Sequence, residues 1–214
     1  MKKLISMVMV VSLLLSGNYL YSESLDFGAD AVSRYVWRGS DFGNSPAIQP
    51  YISFTQGPLE IGAWGSWSVI GAAGGNENDL YAAFSFANFS LIITDYFFPG
   101  YTGDDMIDDF SDTGGHIIEL SGSARFNKLN ILAAMNVAGN DPDNSIYFEA
   151  GYEIYNNEEL SAAVVAGAGN GFYTVDSELN LVNFGLSLSK DRYTAAYIIN
   201  PDQKTSFLVF GISF

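Results

Sequence analysis

From Leu25 to the carboxyl-terminal Phe214, apolar side chains recur at every second position in one short run after another. Period two is the repeat of an extended strand, whose successive side chains point to opposite faces. Twelve runs stand out: residues 25–37, 47–55, 59–70, 80–87, 89–98, 116–126, 129–138, 145–155, 160–168, 179–189, 193–199 and 205–214. In 59–70, Leu59, Ile61, Ala63, Gly65, Trp67 and Val69 oppose Glu60, Gly62, Trp64, Ser66 and Ser68. In 145–155, Ile146, Phe148, Ala150, Tyr152 and Ile154 oppose Tyr147, Glu149, Gly151, Glu153 and Tyr155. Stripes at helical spacing are missing, and glycine and β-branched residues sit inside the runs, where a helix would suffer. Proline is nearly excluded; Pro50 is the exception and marks an edge, a bulge or a late strand start.

The connections alternate in size. Short ones are QGP, NF, NK, NNEE and KDR; longer ones are RGSDFGNSP, GAAGGNEND, PGYTGDDMIDDFSDTGG, GNDPDN, NGFYTVDSE and NPDQ. Six long and five short connections are what twelve antiparallel strands require when both chain ends lie on one side. Most runs approach the ~9–11 residues that carry a tilted strand across a bilayer. A sheet in hydrocarbon has to close, because an open edge leaves backbone groups unpaired. The expected fold is all-β: a transmembrane antiparallel up-and-down β-barrel of twelve strands, one face of each strand to lipid and the other to the lumen. A soluble β-sandwich or barrel also alternates and is the competing reading.

Composition fits a wall in lipid. Hydrophobic residues make up 48% and charged residues only 15%, against about 25% charged in soluble domains. Lys2 and Lys3 precede an apolar stretch over 4–15, about 12 residues and too short for the ~20 of a spanning helix. Residues 1–22 therefore read as a secretory signal peptide and 23–214 as the barrel. Removing 1–22 leaves seven basic and 24 acidic residues, a net charge of −17. Nucleic acid is not an expected partner for such a chain, since phosphate binding needs clustered Lys and Arg. The chain has no cysteine, and no cofactor is expected.

The stretch LDFGADAVSRYVWRG, followed by NSPAIQPYISF and IGAWGSWS, resembles the TorF-type family of proposed porins. The residues that carry the likeness are Tyr35, Val36, Trp37, Arg38 and Gly39; then Pro46, Ala47, Ile48 and Gln49; then Trp64, Gly65 and Ser66. NDLYAAFSF and DYFFPG resemble later family segments. The resemblance covers about residues 25–100, and the long acidic loop after Pro99 departs from it. It implies a bacterial outer-membrane barrel with short periplasmic turns. The alternating last strand, with Leu208, Phe210, Ile212 and Phe214 on its lipid face, has to pair with the first to seal the barrel. Its terminal Phe214 resembles the signal that outer-membrane barrel-assembly machinery recognises.

Candidate lumen residues follow from the alternation. With Tyr35 and Trp37 assigned to lipid, Asp30, Arg34 and Arg38 fall on the inner face of the first strand. Glu60, Trp64, Glu119, Glu149 and Glu153 join them as expected pore-lining residues. The arginines either set ion preference or fill the lumen in salt bridges with Glu60, Glu119, Glu149 or Glu153. Lumen acids outnumber bases, which favours cations. Ser85, Ser121, Ser123, Gly167, Gly185 and Ser187 are expected inward and leave space; Ile92, Leu132, Val165 and Phe207 narrow it. Trp37, Trp64 and Trp67 read as interfacial girdle residues. Asp104, Asp105, Asp108, Asp109 and Asp112 read as a solvated acidic loop, with weak divalent-cation binding the sharper alternative. His116, the only histidine, lacks a neighbouring nucleophile in sequence, so no enzyme is expected. The expected function is passive diffusion of small polar solutes or ions, with outer-membrane lipid and glycolipid as surroundings. The alternatives are a channel for small hydrophobic compounds and a surface or structural barrel without an open pore.

Overall fold

The computed structural model describes residues 23–70, 76–100 and 107–214. The signal-peptide segment 1–22 lies outside the described residues, as do Asp104 and Asp105. Among the described residues fourteen strands occur in chain order: β1 Glu23–Val32, β2 Val36–Trp37, β3 Ser40–Asp41, β4 Ala47–Gln56, β5 Leu59–Ser68, β6 Glu77–Phe86 and β7 Phe89–Phe97. β8 His116–Phe126, β9 Leu129–Gly139, β10 Ile146–Asn156, β11 Ser161–Gly169, β12 Asn180–Lys190, β13 Tyr193–Asn200 and β14 Thr205–Ser213 follow. Twelve of them close into one antiparallel barrel, each paired to its neighbours in sequence, with β14 returning to β1. The sealing register is Asp30↔Ser213, Ala31↔Ile212 and Val32↔Gly211, extended by Phe214 N–H donating to the Ala29 carbonyl at 2.9 Å.

The alternation sorts side chains as the sequence requires. Phe27 is 71% exposed and Leu91 62%, and Ile52, Ile61, Leu80, Phe148, Phe184, Leu208 and Phe210 share the outer face. A continuous apolar belt of this size is not a water-facing surface; it suits hydrocarbon, and the chain reads as a membrane barrel. Glu119, Ser66, Asn136, Asn183 and Asn200 are buried on the inner face. Short turns gather at one end, four of them with a left-handed residue, at Gly57, Ala87, Asn127 and Asp191. Pro50 sits inside β4, and the β4–β5 ladder lapses beside it, between the pairs Ile48↔Trp67 and Tyr51↔Trp64. The missing N–H explains the gap.

One expected strand is shortened. The run 25–37 ends as a wall strand at Val32, and residues 33–46 turn into the lumen from the long-loop end. There β2 and β3 form a small hairpin, Val36↔Asp41 and Trp37↔Ser40. Its two central residues, Arg38 and Gly39, have φ of 49° and 82°, the geometry of a two-residue turn whose twist matches its strands.

Candidate functional site

The infolded hairpin and the wall beneath it make the most densely interlocked polar cluster among the described residues. Its tip packs on β12 and β13, within three strands of β1 round the barrel. A Cβ on Gly39 would stand 2.0 Å from the Val182 carbonyl oxygen, so only glycine fits there. The Asn200 amide donates to the Gly39 carbonyl at 3.2 Å. Trp37 lies edge-on to Tyr96 of β7 with ring centroids 5.3 Å apart, and 5.8 Å from Tyr173. Tyr35 is buried against Trp64 of β5. Its hydroxyl donates to Glu77 Oε2 at 2.7 Å. Burial first, then the adjacent Glu77, holds the Tyr35 phenol well above its ordinary range.

Arg38 is the centre of the cluster. It donates from Nη1 to Glu119 Oε2 at 2.5 Å and from Nη2 to Glu119 Oε1 at 3.0 Å, a two-pronged pair. Nη1 also donates to the Tyr173 hydroxyl oxygen at 2.6 Å. The guanidinium carbon lies 4.3 Å from the Trp37 ring centroid, 4.4 Å from Tyr147 and 5.4 Å from Tyr173. Both charged side chains are buried, at 8% and 2% exposure. A flat cation with five donors meets one carboxylate and three aromatic faces, which is the geometry guanidinium prefers. Arg34 is held within the same segment by Asp41.

These contacts correct the sequence reading in three places. Arg34 and Arg38 do not line the wall beside Asp30; they belong to the infolded segment. Tyr35 and Trp37 face the lumen and not lipid. Of the three tryptophans only Trp67 stays on the outer wall, donating to Asn78 at 3.0 Å; Trp64 faces inward, as the alternation expects. The reason is that a lone period-two run cannot tell a wall strand from a strand that leaves the wall after Val32.

The other expected inner residues keep their wall positions. Asp30 faces inward near the seam, opposite Gln49 and Ser213. Glu60 accepts from Tyr81 at 2.8 Å and Thr55 at 3.3 Å. Glu149 accepts from the Tyr147 hydroxyl at 2.6 Å and the Asn183 amide at 3.4 Å. Glu153 accepts from Asn156 at 2.9 Å near the short turns. Among the described residues the ion pairs are Arg34–Asp41, Arg38–Glu119 and His116–Asp95. Asp26, Asp30, Glu60, Glu149 and Glu153 therefore have no cationic partner among those pairs.

Below the hairpin, toward the short turns, the lumen holds a cavity of about 630 Å³. Ser85, Ser90, Ser123, Arg125, Asn130 and Glu149 are among its lining. Two apolar hollows, of about 620 and 510 Å³, are lined largely by outer-wall side chains such as Leu91, Phe148, Leu80 and Phe97. His116 opens β8. Its Nδ1 lies 2.8 Å from Asp95 and its Nε2 3.0 Å from the Ile107 carbonyl, with Phe97 and Phe110 stacked on its faces. It ties the acidic loop to the wall. Hydrogen bonds from Ser111 hold the exposed Asp109 carboxyl below its ordinary value. Among the described residues no three acidic or histidine groups converge as metal ligands.

Sequence reasoning missed Tyr35, Glu77, Tyr96, Tyr147 and Tyr173 as partners in one cluster. The one legible signal was Arg38-Gly39 between aromatic and polar alternation, a two-residue hairpin turn that the long run concealed.

No protein-family model matches the chain, and no curated protein does. A solved structure from a study of the mechanism behind the in-meso crystallization of membrane proteins is similar to it in fold. The identity is 10%, the TM-score 0.50, and the match covers 88% of this chain and 83% of that one.

Proposed function

We propose that the protein is a bacterial outer-membrane barrel that admits small polar solutes and ions, with a preference for cations. Residues 33–46 act as its plug. The observation that carries this reading is the two-part interior: a polar cavity of about 630 Å³ toward the short turns, closed at the long-loop end by the hairpin locked through Arg38 and Glu119. Lumen acids without cationic partners give the cation preference. The likeness of YVWRG and the segments after it to TorF-type proposed porins supports the same reading; the YVWRG residues lie in the plug, and the segments after it run into wall strands β4 and β5. Residues 1–22 serve as the export signal, Phe214 as the assembly signal, and outer-membrane lipid and glycolipid surround the apolar wall. A polar interior speaks against the channel for hydrophobic compounds, whose pocket would have to lie inside.

Planar-bilayer recording of purified protein tests this. Wild type should show rare, small, cation-selective openings, and Arg38→Ala should open more often. Complete silence of both proteins would leave a sealed barrel with no transport role. Glu149→Gln should move the reversal potential toward zero in a salt gradient; an unmoved potential would remove Glu149 from the conducting path.

A further inference from the structure

We propose that the seat of Arg38 is a receptor for a guanidinium-bearing solute, filled at rest by the chain's own arginine. The wall supplies Glu119 and Tyr147 and the supporting Tyr96, the connection between β11 and β12 supplies Tyr173, and the plug adds only Trp37. Glu119 presents both carboxylate oxygens to one side chain, at 2.5 and 3.0 Å. Tyr147 and Tyr173 turn ring faces to the cation, and the Tyr173 hydroxyl accepts a third N–H. Tyr96 steadies Glu119 by donating to Oε1 at 3.2 Å. Glu119, Tyr147 and Tyr173 are 2%, 1% and 3% exposed, so the site is dry, where cation–aromatic attraction is strongest.

The seat also has an approach. The Tyr147 hydroxyl, on the ring that faces Arg38, donates to Glu149, and Glu149 lines the open cavity. A cation in that cavity meets Glu149 first and Glu119 next. A solute that takes the Arg38 position breaks the plug's buried ion pair, so binding and unseating are one event. Arg38 is then an internal competitor, and apparent affinity is lowered by the small fraction of time that it vacates the seat. The inference rests on the pore reading only for the route by which the solute arrives; the seat itself is read by binding.

The experiment uses the full-length barrel in detergent, with methylguanidinium chloride as probe and tryptophan emission as readout, and Trp37→Phe as the control for the origin of the signal. Arg38→Ala leaves the cage empty and should bind methylguanidinium saturably, at least about tenfold more tightly than wild type. Adding Glu119→Gln to Arg38→Ala should abolish binding. Tetramethylammonium, a cation without N–H donors, should bind Arg38→Ala at least about tenfold more weakly than the probe. No saturable change in a folded Arg38→Ala barrel, undiminished binding with Glu119→Gln, or equal binding of tetramethylammonium would each overturn the proposal. Arg38→Lys is a second arm should the alanine variant not fold: lysine fills the cage without the two-pronged pair, so the probe should bind it more tightly than wild type, and equal or weaker binding counts against the cage. A barrel silent in bilayers that still binds the probe defeats the pore reading and keeps this one.

Discussion

At the long-loop end of the lumen, Tyr35, Trp37 and Phe42 interlock with Trp64, Tyr96, Tyr147 and Tyr173. At the short-turn end the same wall presents Ser85, Ser90 and Ser123 around open space. Both halves obey one alternation and share the same twelve strands. What separates them is side-chain size on the inner face and one returning segment of the chain. The interlocked aromatic rings gather where the hairpin lies, and its Tyr35, Arg38 and Gly39 meet wall partners while Arg34 pairs with Asp41 of the same segment. A barrel of this strand number is therefore neither filled nor hollow by its circumference alone. A short segment decides, by supplying side chains that the wall lacks.

The contrast can be broken most directly at Glu119. Glu119→Ala leaves the Arg38 guanidinium buried without its anion, a loss of about 3–5 kcal/mol. The plug should leave the lumen while the sheet stays closed, read as a large drop in melting temperature and a change in Trp37 emission with strand content unchanged. Gly39→Ala should follow. Its Cβ would meet the Val182 carbonyl at 2.0 Å on a residue with φ of 82°, and overpacking of this kind costs about 1–3 kcal/mol. The same emission change, with Arg38 still present, would show that the hairpin tip positions the whole segment; normal emission would show that the tip is slack.

Tyr35→Phe removes one buried donor and leaves Glu77 short of a partner, a loss of about 1–3 kcal/mol. Because the phenol is held above its ordinary value of 10.0, Tyr35 keeps its proton, and its share in holding the plug to Glu77 is complete below pH 10. Loss of that share belongs to still higher pH. A wild-type plug released through Tyr35 near neutrality would contradict the burial of this side chain. At the other end of the scale, Ser85→Ala breaks only the Ser85–Ser90 hydroxyl contact at 2.9 Å beside the cavity. It should change stability by less than about 0.5 kcal/mol, and a melting temperature as depressed as that of Tyr35→Phe would erase the difference between the two halves.

The wall was legible in the residues because its physics is local. Water or polar side chains inside and hydrocarbon outside force each strand to alternate, so Glu60, Trp64, Glu119, Glu149 and Glu153 could be assigned to the inner face from period two. The same rule placed Ser85, Ser123, Gly167 and Gly185 inward, and their strand registers agree. The site was less legible. Arg38 with Glu119 stood among the possible pairings, but so did Glu60, Glu149 and Glu153. Nothing local separates partners 81 positions apart from partners 22 positions apart.

The order of residues along the chain was enough for the number of wall strands, their order, which face of each meets the outside, and that the last strand seals against the first. Each of these follows from backbone groups that have to pair and from side chains that alternate along a few consecutive residues. It took the closed barrel to show that the chain leaves the wall after Val32, that Tyr35, Trp37 and Arg38 point inward, and that Arg38 takes Glu119 among the available acids. Those outcomes depend on closure: the wall has to curve round before Glu77, Glu119, Tyr147 and Tyr173 stand together, and only then does a buried guanidinium find enough partners to leave water.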